Sequence, residues 1–237
     1  MPVLVLRLEA PLMAFGREAI DQNGPTRDFP DASLLTGLLA NALGFRREEA
    51  DRHQRLQDRL EYAVRIDREG TGLRDFQTAQ LEKSDIGWTT RGIAEGRRGG
   101  AGTYASPHIR LRHYRADASL TIAITLQPAD EAPTLQDCLL ALDAPARPLF
   151  IGRKPCLPSG RLALGILETP SRLAALDIFP VPEGSSETPR YVLSPADAEH
   201  LPRGEVLYLT GRRDWIAGVH AGQERRVSVR VKGEAAR

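Results

Sequence analysis

Tyr104, His108 and His113 fall within one short segment that is crowded with arginine. A histidine with a nearby tyrosine and arginines can cleave RNA by general acid–base chemistry without a metal. The remaining histidines, His53, His200 and His220, sit in a polar helical pattern or in loop-like sequence and read as surface residues. The same segment also has a binding reading. Arg97 and Arg98 precede glycines, Arg110 and Arg112 follow, and Trp88 and Tyr104 are interspersed. Cations alternating with aromatic rings suit single-stranded RNA, whose phosphates pair with arginine while its bases stack. A surface loop that orders on RNA fits that composition too. A second candidate is "FIGRKPC", where Gly152 would let the backbone approach a ligand and Arg153 and Lys154 would face phosphate. Taken alone, a strand-ending turn with two solvated cations is the simpler account of it. No HExxH, GxSxG or P-loop pattern occurs, and Asp75 stands alone as a carboxylate. Cys138 and Cys156 are too few and too far apart for a zinc site or a disulfide framework. The expectation is therefore no metal and no cofactor.

The 237 residues are 41% hydrophobic, enough to bury a core in one large domain or two small ones. A net charge of +1 does not advertise a nucleic-acid binder. Almost every cation is arginine, however, the lysines being Lys83, Lys154 and Lys232. Arginine's planar fork matches phosphate and base edges better than a point charge does; arginine-rich codon usage explains the bias equally well. No apolar stretch approaches the ~18–20 residues of a membrane span. The start, "MPVLVLRLEAP", reads as a strand and not a signal peptide, so a cytoplasmic location is expected.

The elements that would position these residues follow from periodicity. "VLVLRL" is a buried strand interrupted by Arg7, and a turn-rich loop follows it. Residues 31–43 form an apolar helix, capped by Asp31 or Ser33 and ended by Gly44. Residues 48–60 form a more polar helix and 61–67 a half-buried strand. "TGLRDFQT" then leads into the long insert 79–117. A strand over 118–128, a helix over 134–146 capped by Thr134, and a strand running into "GRKPC" follow. With a strand pair allowed around the insert, the order is β-α-β-β-α-β, the ferredoxin-like plan of RNA-recognition domains. The expected class is α+β, with a ferredoxin-like domain over 1–157 and a small β-rich C-terminal region over 158–237. In that region "SRLAALDIF" suggests a short helix, while "EVLYLTG" and "RRVSVRVK" alternate like antiparallel strands.

Five segments in order resemble one family. "LVLRLEAPLMAFG", "PTRDFPDASLLTGLLANALGFRRE", "TGLRDFQT", "RADASLTIAITL" and "PLFIGRKPC" are similar to the signatures of the Cas-five (CasD) family of the type I-E CRISPR Cascade complex. The likeness runs from Val3 to Leu157 and is weak beyond. It implies a repeat-associated (RAMP) fold with a projecting thumb at 79–117. It implies a subunit that caps the 5′ handle of the CRISPR RNA, touches the neighbouring backbone subunit and the large subunit, and meets target DNA through the complex, with no membrane. The implied member of this subtype does not cleave RNA. Relatives in another subtype do, which keeps Tyr104, His108 and His113 as the alternative. The RNA-contacting set expected on this basis is Phe15, Gly16, Arg27, Ser33, Arg74, Gly152, Arg153 and Lys154, with Arg97, Arg98, Arg110 and Arg112 in the thumb. Two departures stand out: Phe15 replaces the more usual tryptophan, and Ala32 stands where a cation is expected. A metabolic enzyme on a ferredoxin-like fold is a third class, without a cofactor motif to support it.

Overall fold

The computed structural model describes residues 1–80, 87–88, 94–95 and 107–231. Its centre is the expected ferredoxin-like unit. β1 (Pro2–Glu9) leads through two short strands, β2 (Leu12–Met13) and β3 (Asn23–Gly24). Helices α1 (Ala32–Ala42) and α2 (Ala50–Arg59) and strand β4 (Leu60–Arg68) come next. After the insert, β9 (Ser119–Leu126) leads to α3 (Leu135–Asp143) and β10 (Ala163–Glu168). These strands lie in the order β10-β1-β9-β4, each antiparallel to its neighbour. In the plan's own count that is fourth, first, third, second.

β1 shows no polar alternation because both its faces are covered. Leu4, Leu6 and Leu8 pack with Leu35, Leu39, Leu56 and Cys138 under α1–α3. Val3 and Val5 face the other way, among Ala175, Leu176 and Leu193. Arg7, the interruption in the strand, donates to the Pro180 carbonyl at 2.9 Å.

α1 is bounded by local chemistry. Asp31 accepts from the Leu34 N–H at 3.0 Å. At the other end Gly44 has φ 81°, and the Gly44 and Phe45 N–H groups bond back to Asn41 and Ala40. That pattern is the Schellman motif that closes helices on a left-handed residue. α3 is capped reciprocally by Thr134 and Asp137.

The division expected at residue 157 falls inside one sheet. α4 (Arg172–Ile178), β11 (Arg190–Leu193), β12 (Glu205–Leu209) and β15 (Glu224–Arg230) complete it. The full order is β10-β1-β9-β4-β11-β15-β12. The fourth ferredoxin strand is β10, not the segment before "GRKPC". Residues 148–155 carry two prolines and Gly152 at φ 87°; prolines cannot donate to a ladder, and the segment closes as a turn with Ile151 N–H on Cys156 O at 2.8 Å.

The insert is rooted earlier than residue 79. β5 (Thr71–Ala79) pairs along its whole length with β8 (His108–Ala116), and β2 and β3 lie along the other edge of β8. Between them β6 (Gly87–Trp88) pairs with β7 (Ala94–Glu95). A last hairpin, β13 (Arg213–Asp214) with β14 (Val219–His220), joins neither larger sheet. Among the described residues, no helix is long and apolar enough to cross a membrane.

Candidate nucleic-acid interface

Four segments from distant parts of the chain meet around a hollow of about 590 Å3. They are the loop after β2, the start of α1, the "GRKPC" turn and the β13–β14 hairpin. Phe15, Gly16, Arg27, Ser33, Gly152 and Arg153, all expected from the sequence, line it together. A second hollow of about 1170 Å3 continues along α1 past Lys154, Arg147 and Phe45. The two share Ser33, Leu34, Gly152, Arg213 and Trp215, so they form one groove.

The walls are fixed by main-chain contacts. The Phe15 N–H donates to Thr26 Oγ1 at 2.8 Å, and the Arg27 N–H to Gly16 O at 3.2 Å. Phe15 itself is 1% exposed, so its ring belongs to the core and only its backbone borders the groove. Gly152 borders both hollows, and its lack of a side chain serves the packing of the turn. A Cβ there would sit 1.6 Å from the Ala14 carbonyl oxygen, so the glycine lets the turn press onto the β2 loop, where Ala14 N–H bonds to Ile151 O.

The charges are unequal in freedom. Arg27 is 10% exposed and pairs with Asp31 at 3.0 Å and Glu18 at 2.7 Å. Burial raises the pKa of Asp31 above its ordinary value; the Leu34 N–H, the Ser33 hydroxyl and Arg27 oppose that, and Glu224 adds to it. The Ser33 hydroxyl donates to Asp31 at 2.8 Å, and the Ser33 N–H is taken by Gly211 O at 2.9 Å. Asp31 and Gly211 therefore take the Leu34 and Ser33 N–H groups, two of the donors that a bare helix N-terminus would offer an anion. Arg153 donates to the carbonyls of His113 (2.9 Å) and Gly24 (2.7 Å) and lies over the Tyr114 ring. It staples the arm to the groove and brings a fixed positive charge to the wall. Arg17 and Lys154 are exposed.

The other expected contacts lie on the arm formed by β5 and β8. Strand alternation separates them. Arg74 pairs in register with His113, whereas Arg110 and Arg112 pair with Gln77 and Asp75 and share the opposite face. His108 lies with Arg110 and Arg112, so the two histidines point to opposite faces of one strand. Arg97, Arg98 and Tyr104 lie outside the described residues. Among the described residues, no cluster of His, Cys, Asp or Glu is placed to hold a metal ion. Both thiols are buried, and burial pushes Cys138 up to about 12.

Arg17, Arg213, Trp215 and His220 were not anticipated. For Arg213 and Trp215 a signal existed in "GRRDW", the same cation-beside-aromatic pattern that marks the insert.

Residues 3–227 match the family model described as CRISPR-associated protein (Cas_Cas5). The chain belongs to the Cas-five family. The family match continues beyond Leu157, where the signature segments end, so β11 and β12 are part of the Cas-five pattern. The chain is 30% identical over 184 residues to "CRISPR system Cascade subunit CasD" of Escherichia coli (strain K12), a match spanning 73% of this chain and 75% of that one. A solved structure described as "CRISPR RNA-guided surveillance complex" has a TM-score of 0.69 at 24% identity, covering 97% of this chain and 90% of its own. Another, "Crystal structure of Cas protein", has a TM-score of 0.59 at 24% identity, covering 97% and 93%. The Cas-five fold is thus shared across nearly the whole length.

Proposed function

We propose that this protein is the CRISPR RNA-binding Cas-five subunit of a type I-E Cascade surveillance complex in the cytoplasm. It holds the 5′ handle of the CRISPR RNA, contacts the backbone RAMP subunit and the large subunit, and meets target DNA only through the assembly. The observation that carries the reading is the groove. It is a long, open channel with exposed cations at its rim, beside an arm that carries further arginines on both faces. A channel of this kind tracks a single-stranded backbone. Phosphate contacts from Arg17, Lys154 and the arm residues Arg74, Arg110 and Arg112 set the register of the strand. Sequence is then read where bases leave the stack. Paired cations such as Arg27 contribute when a phosphate replaces a carboxylate partner.

The role is binding and not catalysis. In the alternative, a metal-independent endoribonuclease using Tyr104, His108 and His113, the two histidines face apart on β8, so they do not act as a pair on one scissile phosphate. The test is assembly with the remaining Cascade subunits on CRISPR RNA. Substituting Arg17, Arg74 and Arg110 by alanine should weaken RNA retention and flatten its salt dependence. Unchanged retention in all three would refute the binding surface. Metal-free cleavage of repeat RNA by the isolated chain, abolished by His113→Ala, would establish the alternative.

A further inference from the structure

The β13–β14 hairpin forms a wall of both hollows, yet its strands pair only with each other. Side chains of α2 hold it in place. Gln57, itself 1% exposed, grips Arg213 as a neighbouring strand would. Its Nε2 donates to the Arg213 carbonyl at 2.8 Å and its Oε1 accepts from the Arg213 N–H at 3.0 Å. The same Oε1 accepts from Trp215 Nε1 at 3.2 Å. The Trp215 ring stacks on His53 at 4.8 Å.

The hairpin is pinned at its root as well. A Cβ on Gly211 would fall 2.4 Å from a Glu224 carboxylate oxygen and 2.9 Å from Asp31 Cβ, so only glycine lets the strand begin against the α1 cap. What the hairpin offers the groove is charge. Arg213 spends one terminal nitrogen on Gly218 O at 2.9 Å, and its buried Nε has no partner among the described residues. His220, its neighbour across the hairpin, is exposed on the rim.

We propose that the hairpin is a strap across the RNA channel, that Arg213 and His220 contact the strand beneath it, and that Gln57 is the positioning residue that latches it. This rests on the reading of the groove as the RNA site. A buried side-chain amide that replaces a missing sheet neighbour is a hold that one substitution can remove while the sheet core stays intact.

The test uses the complex assembled on CRISPR RNA. Trp215 emission is read on the free chain in a Trp88→Phe background, since the chain has two tryptophans, and RNA release is read on the complex. Gln57→Ala should red-shift Trp215 emission and speed RNA release in a salt chase about tenfold, equivalent to about 1.4 kcal/mol. Its association rate should be little changed. Gln57→Glu keeps the acceptor for both N–H groups and should recover much of the slow release. Arg213→Ala should speed release while the Gln57–Trp215 hydrogen bond stays in place; its guanidinium lies over the Trp215 ring at 5.2 Å, so release and not emission is the readout for this variant, and it serves if Gln57→Ala fails to fold. A Gln57→Ala chain that is red-shifted, yet whose complex releases RNA within twofold of wild type, overturns the strap, as does wild-type release from Arg213→Ala. The groove reading survives both results and falls only if Arg17→Ala and Lys154→Ala also retain RNA like wild type.

Discussion

Gly152→Ala probes the joint on which the groove depends. The residue has φ 87°, and its missing Cβ would lie 1.6 Å from Ala14 O and 2.8 Å from Ala14 C. Both obstacles are main chain, so no rotamer change relieves them. A left-handed backbone costs an L-residue about 1–2 kcal/mol, and forcing apart two packed segments costs about 1–3 kcal/mol. The expected loss is therefore about 2–5 kcal/mol. For a chain of this size that lowers Tm by about 4 °C or more. Guanidinium denaturation and a thermal scan measure it directly. Gly160→Ala is the control, because nothing lies within 4 Å of its Cβ position; it should change stability by no more than about 1 kcal/mol. The variant should also lose the Ala14–Ile151 hydrogen bond and with it RNA retention at temperatures where it is still folded. A Gly152→Ala protein within about 0.5 kcal/mol of wild type would refute the reasoning.

Arg59 is fully buried and donates to the carbonyls of Pro128, Glu131 and Pro133; Arg59→Ala should cost about 3–5 kcal/mol in denaturant titrations, because a buried network is left unpaired. For Asp31 the folded-state pKa lies above its ordinary 3.8, so the stability it contributes is full below that value and is lost as pH rises through the folded pKa. Asp31→Asn keeps a good cap and removes that dependence, so its stability relative to wild type should rise as pH goes from about 4 to 7; a flat difference would contradict the burial of the charge. Cys138, raised to about 12, should resist iodoacetamide at pH 8 until the protein is unfolded, as read by mass spectrometry. Arg110→Ala and Arg112→Ala should leave stability within about 0.5 kcal/mol while each lowers the salt slope of RNA binding by about 0.7.

What the sequence disclosed was mostly local. Asp31, Gly44 and Thr134 mark helix ends because capping is decided within a few residues. The ferredoxin order follows from element order alone. The position of the fourth strand was misread because Leu149 to Ile151 look like the end of a strand, and only the turn closing on Cys156 shows otherwise. The C-terminal strands were visible as strands, but their sheet was not, since pairing β11 with β4 joins residues far apart in sequence. The groove was half legible. Phe15, Gly16, Arg27 and Gly152 carried a family pattern, whereas Arg213 and His220 reach the groove only because Gln57 and Gly211 hold their hairpin there. Partners were the least legible feature. Nothing around Arg153 foretells that its donors end on Gly24 and His113, or that Ser33 serves the Asp31 cap.

The proposed function places RNA in the groove between the Gly16 loop, the Gly152 turn and the β13–β14 hairpin. Photo-crosslinking of the assembled complex on CRISPR RNA, with the crosslinked peptides sequenced, tests it most directly. Crosslinks are expected at Gly16 or Arg17, at Lys154, and at Arg213 or His220, all from the same few nucleotides of the handle. Crosslinks confined to the arm or to the outer face of α2 and α3, with none in these three segments, would contradict it.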